Sequence, residues 1–137
     1  RITGDFNFNN GIVFPAVSEN LIFEDNATAS NPSNASFYGG IVIKEGDDEF
    51  IFPVGDSNVD GVSFYQPVRM FDLENMTSIE AQYFAKANEN AGPWYDGSTG
   101  ANGELEEVGN CDYWEINKTT PGTNNDVRLA FKYTNPN

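Results

Sequence analysis

The sequence contains no histidine and only one cysteine, Cys111. The lack of histidine excludes Ser-His-Asp and Cys-His nucleophilic catalysis and zinc sites that use histidine ligands. A single cysteine excludes an internal disulfide, and Cys111 is better interpreted as a half-buried strand residue than as a nucleophile, because no base accompanies it. The sequence also has no phosphate-binding glycine loop. We therefore predict that the chain is not an enzyme, with a glycosidase-type carboxylate pair as the catalytic alternative.

Basic residues are scarce, with seven Lys and Arg against 21 Asp and Glu and a net charge of −14. This sign disfavours nucleic acids and anionic membranes as partners, since both require a basic surface. No apolar run is long enough to cross a bilayer, and no signal peptide or lipidation motif is present. We expect an extracellular or cell-surface location and interpret residues 1–137 as one domain, either a processed form or a piece of a larger surface protein.

Aromatic residues are abundant, at 14% of the chain, and many of them alternate with polar residues. Apolar side chains recur at every second position in 2–8, 50–54, 79–85 and 127–133, which is typical of strands with one buried face. No segment has a sustained helical period, so the predicted fold is all-β, an antiparallel β-sandwich. The side chains expected to be largely buried are Phe6, Phe8, Phe50, Phe52, Tyr83, Trp114, Leu129 and Phe131.

The N-terminal segment allows two interpretations. Asn9-Asn10-Gly11 follows the first strand pattern and is a hairpin turn signal. The surrounding residues 4–11 also fit one rung of a β-solenoid, although no strict repeat period is present. We predict a hairpin-based sheet, with short solenoid-like rungs at the N-terminus as the alternative.

A candidate metal site lies in the segment Asp56-Ser57-Asn58-Val59-Asp60-Gly61. Asp56, Asn58 and Asp60 fit the first half of a calcium loop, where oxygen side chains at alternate positions converge on one cation. In an EF-hand the last ligand position of the loop holds a bidentate Glu, but here that position holds Pro67. An acidic turn between two strands is the alternative explanation for the same residues. We retain calcium as the one expected cofactor.

A second candidate site lies in the long irregular segment 87–111, where Trp94 and Tyr95 stand among polar residues. Aromatic rings displayed in a polar loop stack on sugar faces or anchor protein partners. The alternative interpretation is that Trp94 packs down onto the sandwich as a loop anchor. These two residues are the candidate ligand-binding residues for a polysaccharide.

Several short motifs occur in a recognisable order along the chain. They are Gly-Asp-Phe-Asn-Phe-Asn-Asn-Gly at 4–11, Phe-Pro-Val-Gly-Asp at 52–56, Tyr-Gln-Pro-Val at 65–68, Glu-Ala-Gln-Tyr-Phe at 80–84 and Tyr-Trp-Glu-Ile at 113–116. This order resembles a β-rich module of large secreted cell-surface or adhesin-like proteins of Bacteroidetes-type bacteria, usually exported by the type IX system. The resemblance runs from Gly4 to about Tyr133. The connection from Asp56 to Phe64 is longer than the usual pattern, so the calcium-loop motif is not implied by it.

The resemblance implies a cell-surface setting, and the composition argues against catalysis. We therefore expect a non-enzymatic extracellular module with a structural or adhesive role in a surface protein or filament, making homotypic or neighbouring-domain contacts. The alternative is a carbohydrate-binding module attached to a secreted enzyme.

Overall fold

A computed structural model describes residues 1–16, 19–57, 61–71, 77–85, 112–118 and 128–131. The described residues are all-β, with eleven strands and no helix. The strands are β1 (Asp5–Asn7), β2 (Leu21–Phe23), β3 (Thr28–Ser30), β4 (Val42–Gly46), β5 (Phe50–Phe52), β6 (Gly55–Ser57), β7 (Ser63–Tyr65), β8 (Val68–Phe71), β9 (Thr77–Phe84), β10 (Tyr113–Lys118) and β11 (Arg128–Phe131). None of these ranges holds a helix long and apolar enough to cross a membrane.

The N-terminal part of the fold consists of parallel rungs. Strand β1 pairs in parallel with β3, and β2 pairs in parallel with β4. Isolated parallel bridges extend the stacking, joining Ile2 to Phe23, Val13 to Tyr38 and Tyr38 to Val54. Each pairing joins one circuit of the chain to the next circuit, which is the arrangement of a solenoid.

The predicted N-terminal hairpin is therefore wrong, and the alternative of short solenoid-like rungs describes this region. The Asn10-Gly11 turn is present, and Gly11 adopts a φ of 100°, a conformation that favours glycine. The residues after the turn do not fold back onto β1. Instead the Gly11 N–H donates to the carbonyl of Ala35, 3.1 Å away, and so joins the following rung.

The strands of the second half of the chain pair antiparallel. One sheet, here called sheet I, has the strand order β10-β9-β4-β2, and a second, sheet II, has the order β11-β8-β5. Strand β9 pairs antiparallel with both β4 and β10, while β8 pairs antiparallel with β5 and β11. Strands β6 and β7 form a short antiparallel pair. The sandwich is thus mixed, with parallel rungs continued by antiparallel strands.

The core lies between sheets I and II. The rings of Phe23 in sheet I and Phe50 in sheet II are 4.9 Å apart, and Phe50 contacts Phe52 edge-on at 5.1 Å. Each of these rings is almost fully buried. Burial of one such side chain stabilises the fold by roughly 1.5–3 kcal/mol, so the facing aromatic residues are the main contribution to packing between the sheets.

The predicted burial is confirmed at Phe8, Phe50, Phe52 and Tyr83. Phe6, Trp114 and Leu129 are only partly buried and pack against the edge of the core. The prediction is wrong for Phe131, which is 51% exposed. The reason is its position, because β11 is the last strand of sheet II and Phe131 contacts Trp114 at 5.2 Å on one side only among the described rings.

The predicted strand segments are found with shorter or shifted bounds. Strand β1 covers only Asp5–Asn7 of 2–8. Strand β5 ends at Phe52, so Pro53 and Val54 of the predicted segment 50–54 lie between β5 and β6. The 79–85 pattern corresponds to β9, which begins earlier, at Thr77. The 127–133 pattern corresponds to β11, and Val127 and Tyr133 lie outside the described residues.

Candidate functional site

Of the three residues expected to bind calcium, the structure describes only Asp56. Asp56 lies in β6, and its carboxylate already accepts two backbone hydrogen bonds, from Ser57 N–H at 2.7 Å and from Ala85 N–H at 3.0 Å. The bond from Ala85 ties β6 to the end of β9. Asn58 and Asp60 lie outside the described residues. Within the described ranges no group of three metal-ligating side chains comes together.

The aromatic pair predicted to bind a ligand, Trp94 and Tyr95, also lies outside the described residues. Trp114, interpreted from the sequence as a core residue, is described and is partly buried. Its indole N–H donates to the backbone carbonyl of Gln66 at 2.9 Å, and its ring lies 5.3 Å from that of Tyr83. Trp114 therefore packs the end of sheet I against the segment that leads into sheet II.

A different aromatic pair stands on the outward face of sheet I. The antiparallel register of β9 and β10 places Phe84 opposite Tyr113, and the two rings stack at 4.8 Å with an interplanar angle of 15°. Both rings are partly exposed. Because Ala81 and Tyr83 of β9 point into the core, their neighbours must point outward, and this alternation brings Phe84 to the outer face.

Polar side chains continue this face beside the rings. Gln82 stands opposite Glu115, and Glu80 opposite Asn117. The amide of Asn117 donates to Glu80 Oε1 at 3.1 Å and to Glu115 Oε1 at 3.3 Å, and so bridges the two carboxylates. Together with Ile41 and Ala81 these residues line a shallow groove of about 40 Å³. We call the six side chains of β9 and β10 the outward face: Glu80, Gln82, Phe84, Tyr113, Glu115 and Asn117.

The outward face keeps a neutral phenol beside acidic groups. Partial burial, and then the negative charge of Glu115, raise the pKa of Tyr113 above its ordinary value. Like that of an ordinary tyrosine, its hydroxyl is protonated at neutral pH and can donate a hydrogen bond. The face combines an apolar ring surface with carboxylate acceptors and amide groups that both donate and accept.

A second feature is the outer edge of the first rung, here called the N-terminal edge and formed by Ile2, β1 and Val13. Among the described residues, β1 pairs with β3 on one side and with no strand on the other. Thr28 N–H donates to the Gly4 carbonyl and Phe8 N–H to the Ser30 carbonyl, at 3.1 and 2.9 Å. Since successive backbone groups of a strand point to opposite edges, those of Asp5 and Asn7 point away from β3.

Side-chain hydrogen bonds hold the N-terminal edge on the rung below it. The Asp5 carboxylate accepts from the hydroxyls of Thr28 and Ser30, at 2.9 and 2.8 Å. Asn31 Nδ2 donates to Asn7 Oδ1 at 3.1 Å. These contacts fix the strand before any partner arrives, which lowers the entropy lost when another strand is added.

Sequence reasoning missed the outward face, although part of its signal was available. The alternation that predicts burial of Tyr83 and Trp114 also places Phe84 and Tyr113 on the opposite side of their strands. What the sequence does not provide is the pairing of β9 with β10, whose residues are far apart along the chain. Their alignment became visible only in the folded structure.

Comparison with known protein families, with curated proteins and with solved structures finds no match to this chain.

Proposed function

We propose that the protein is a non-enzymatic extracellular module with a structural or adhesive role in a bacterial cell-surface protein or filament. The observation that carries this proposal is the N-terminal edge. A stack of parallel rungs ends there in a strand whose outward backbone groups meet no described partner. Such an edge accepts a further strand through main-chain hydrogen bonds, which do not depend on the side chains of the partner.

The charge of the chain sets the conditions for this association. A net charge of −14 opposes the approach of two copies. At about 0.1 M ionic strength the screening length falls to about 10 Å, so repulsion between distant charges is largely removed. Association through the N-terminal edge should therefore be stronger at moderate salt than at low salt, the reverse of association driven by opposite charges.

The experiment is sedimentation of the intact chain and of the variant Asn7→Pro over a range of concentrations. The Asn7 N–H points away from β3, so proline removes one outward donor without removing a hydrogen bond between the rungs. A backbone hydrogen bond contributes about 1 kcal/mol net, so self-association should weaken roughly fivefold or more. Asn7→Ala is the matched control, because it loses the same side-chain contact with Asn31 and keeps the N–H.

If assembly uses the N-terminal edge, the intact chain should self-associate. Asn7→Pro should weaken this self-association, and Asn7→Ala should not. A strictly monomeric intact chain at high concentration and moderate salt would argue against it. Equal self-association of both variants would place the contact on another surface.

A further inference from the structure

The outward face arranges its side chains in three successive rows across β9 and β10. The rows are Phe84 with Tyr113, Gln82 with Glu115, and Glu80 with Asn117. Neighbouring rows on one face of a strand are about 7 Å apart, because every second residue points to the same side. The stacked rings therefore stand directly beside the groove.

The polar rows offer both kinds of hydrogen-bonding group. The carboxylates of Glu80 and Glu115 accept, and the amide of Asn117 holds them together at one end of the groove. Gln82 lies between the rings and this cluster, and its amide makes no hydrogen bond to any residue within the described ranges. It can both donate and accept, as a hydroxyl group requires from its partner.

The rings supply the apolar part of the surface. Phe84 and Tyr113 are partly exposed and stack on each other across the two strands. Preformed aromatic surface with a polar tip is suited to ligands that have one apolar face and a polar rim. A pyranose ring has that character, with C–H groups on its faces and hydroxyls around its edge.

Charge restricts the class of sugar. Two carboxylates line the groove of a chain that already carries a net charge of −14. Uronic acid, sulfated and phosphorylated glycans would be repelled, since none of the described residues that line the groove is cationic. Neutral hydroxyls meet no such penalty, because they donate to the carboxylates and accept from the amides.

We propose that the outward face is a binding site for neutral polysaccharide, with Phe84 and Tyr113 contacting a sugar ring and Gln82, Glu115 and Glu80 bonding its hydroxyls. The groove, at about 40 Å³, is far smaller than usual ligand pockets and is shallow. A groove of this size receives a sugar hydroxyl group and not a whole sugar ring, so a glycan would lie across the outward face. For so small a contact we expect a dissociation constant on the order of 1 mM per site.

The test is affinity gel electrophoresis of the intact chain through gels that contain one soluble polysaccharide each. The neutral probes are mixed-linkage β-glucan, xylan and galactomannan, and the anionic probe is alginate. The proposal expects retardation by at least one neutral probe and none by alginate. The variants Gln82→Ala and Glu115→Gln should each weaken that retardation at least fivefold, with unchanged melting temperatures showing that the fold is intact.

Glu49→Gln is the matched control for Glu115→Gln, because Glu49 is an exposed glutamate that pairs with Arg69 of sheet II, away from the outward face. It should leave retardation unchanged. The proposal is overturned if no neutral polysaccharide retards the chain. It is also overturned if alginate retards the chain more strongly than the neutral probes, or if Gln82→Ala and Glu115→Gln bind as well as Glu49→Gln. This site is separate from the N-terminal edge, so either proposal can fail alone.

Discussion

The ammonium group of Lys44 lies 2.6 Å from Oδ1 of Asp48 and is completely buried in the interior. Its other two hydrogen bonds go to the backbone carbonyls of Glu24 and Glu45, at 2.9 and 2.8 Å. All three donors of the ammonium are therefore satisfied, as a buried charge requires. The phenyl ring of Phe50 lies 5.6 Å from the nitrogen and closes the other side.

This arrangement joins three parts of the fold. Lys44 belongs to β4, the Glu24 carbonyl follows β2, and Asp48 lies in the turn between β4 and β5. Asp48 Oδ1 also accepts the Asn26 N–H at 3.2 Å. The lysine thus fixes the turn between the two sheets, and its hydrogen-bond partners explain its burial without a catalytic role.

We expect Lys44→Met to destabilise the protein by about 3 kcal/mol. The substitution leaves a partly buried carboxylate and two carbonyls without their donor, and breaking a buried pair in this way costs several kcal/mol. Urea unfolding measures the loss. Glu49→Gln, which breaks the exposed pair with Arg69, should change stability far less. Equal effects of the two substitutions would contradict the structural role of Lys44.

The stability of the protein should fall with acid through Asp48. Burial raises the pKa of this carboxyl, but the hydrogen bonds from Lys44 and the Asn26 N–H outweigh burial, and the pKa lies below its ordinary value. The folded state therefore gains stability above the unfolded pKa of about 4 and loses it as pH falls through the lower folded pKa. Urea midpoints between neutral pH and strong acid should show this loss.

Asp48→Asn is the comparison for that titration, because the amide cannot ionise and keeps an oxygen acceptor for Lys44. The difference in stability between the native chain and the variant should be largest at neutral pH and should shrink in acid. A difference that stays constant across the range would show that Asp48 does not contribute to the acid sensitivity.

Glycine is required at position 55 because the surrounding atoms leave no room for a side chain. A Cβ there would lie 2.4 Å from the Phe64 carbonyl oxygen and 2.7 Å from the Phe37 ring. Gly55→Ala should destabilise the fold by roughly 1–3 kcal/mol, since backbone must move to admit the methyl group. Gly4→Ala is the control, with no atom within 4 Å of its Cβ. It should be neutral or slightly stabilising in thermal unfolding.

The predicted calcium site can be tested directly by measuring the effect of calcium on stability. If Asp56, Asn58 and Asp60 bind calcium, millimolar calcium should raise the melting temperature by mass action, because only the folded chain gathers the ligands. Asp60→Asn should reduce that shift, and it leaves the backbone contacts of Asp56 intact. Calorimetry without detectable heat at millimolar calcium would show that the motif is only a turn.

Much of the fold class could be predicted from local pattern. The alternation at 79–85 places Ile79, Ala81 and Tyr83 on one buried face, and these residues are buried in the structure. The excess of acidic residues and the lack of histidine are properties of the sequence alone. They limit the chemistry available to the chain in any fold, because no packing arrangement can add a residue that is missing.

Only the tertiary structure decided which strands pair and which faces turn inward. Within Ile41-Val42-Ile43-Lys44, Val42 and Lys44 point into the core, and Ile43 is partly exposed although isoleucine is the more apolar residue. The register with β9, which sets Val42 opposite Ala81, determines this choice. Likewise the stacking of Phe84 on Tyr113 depends on a long-range pairing. Local preferences encode strands, but partners and register follow from the burial of the whole set of side chains together.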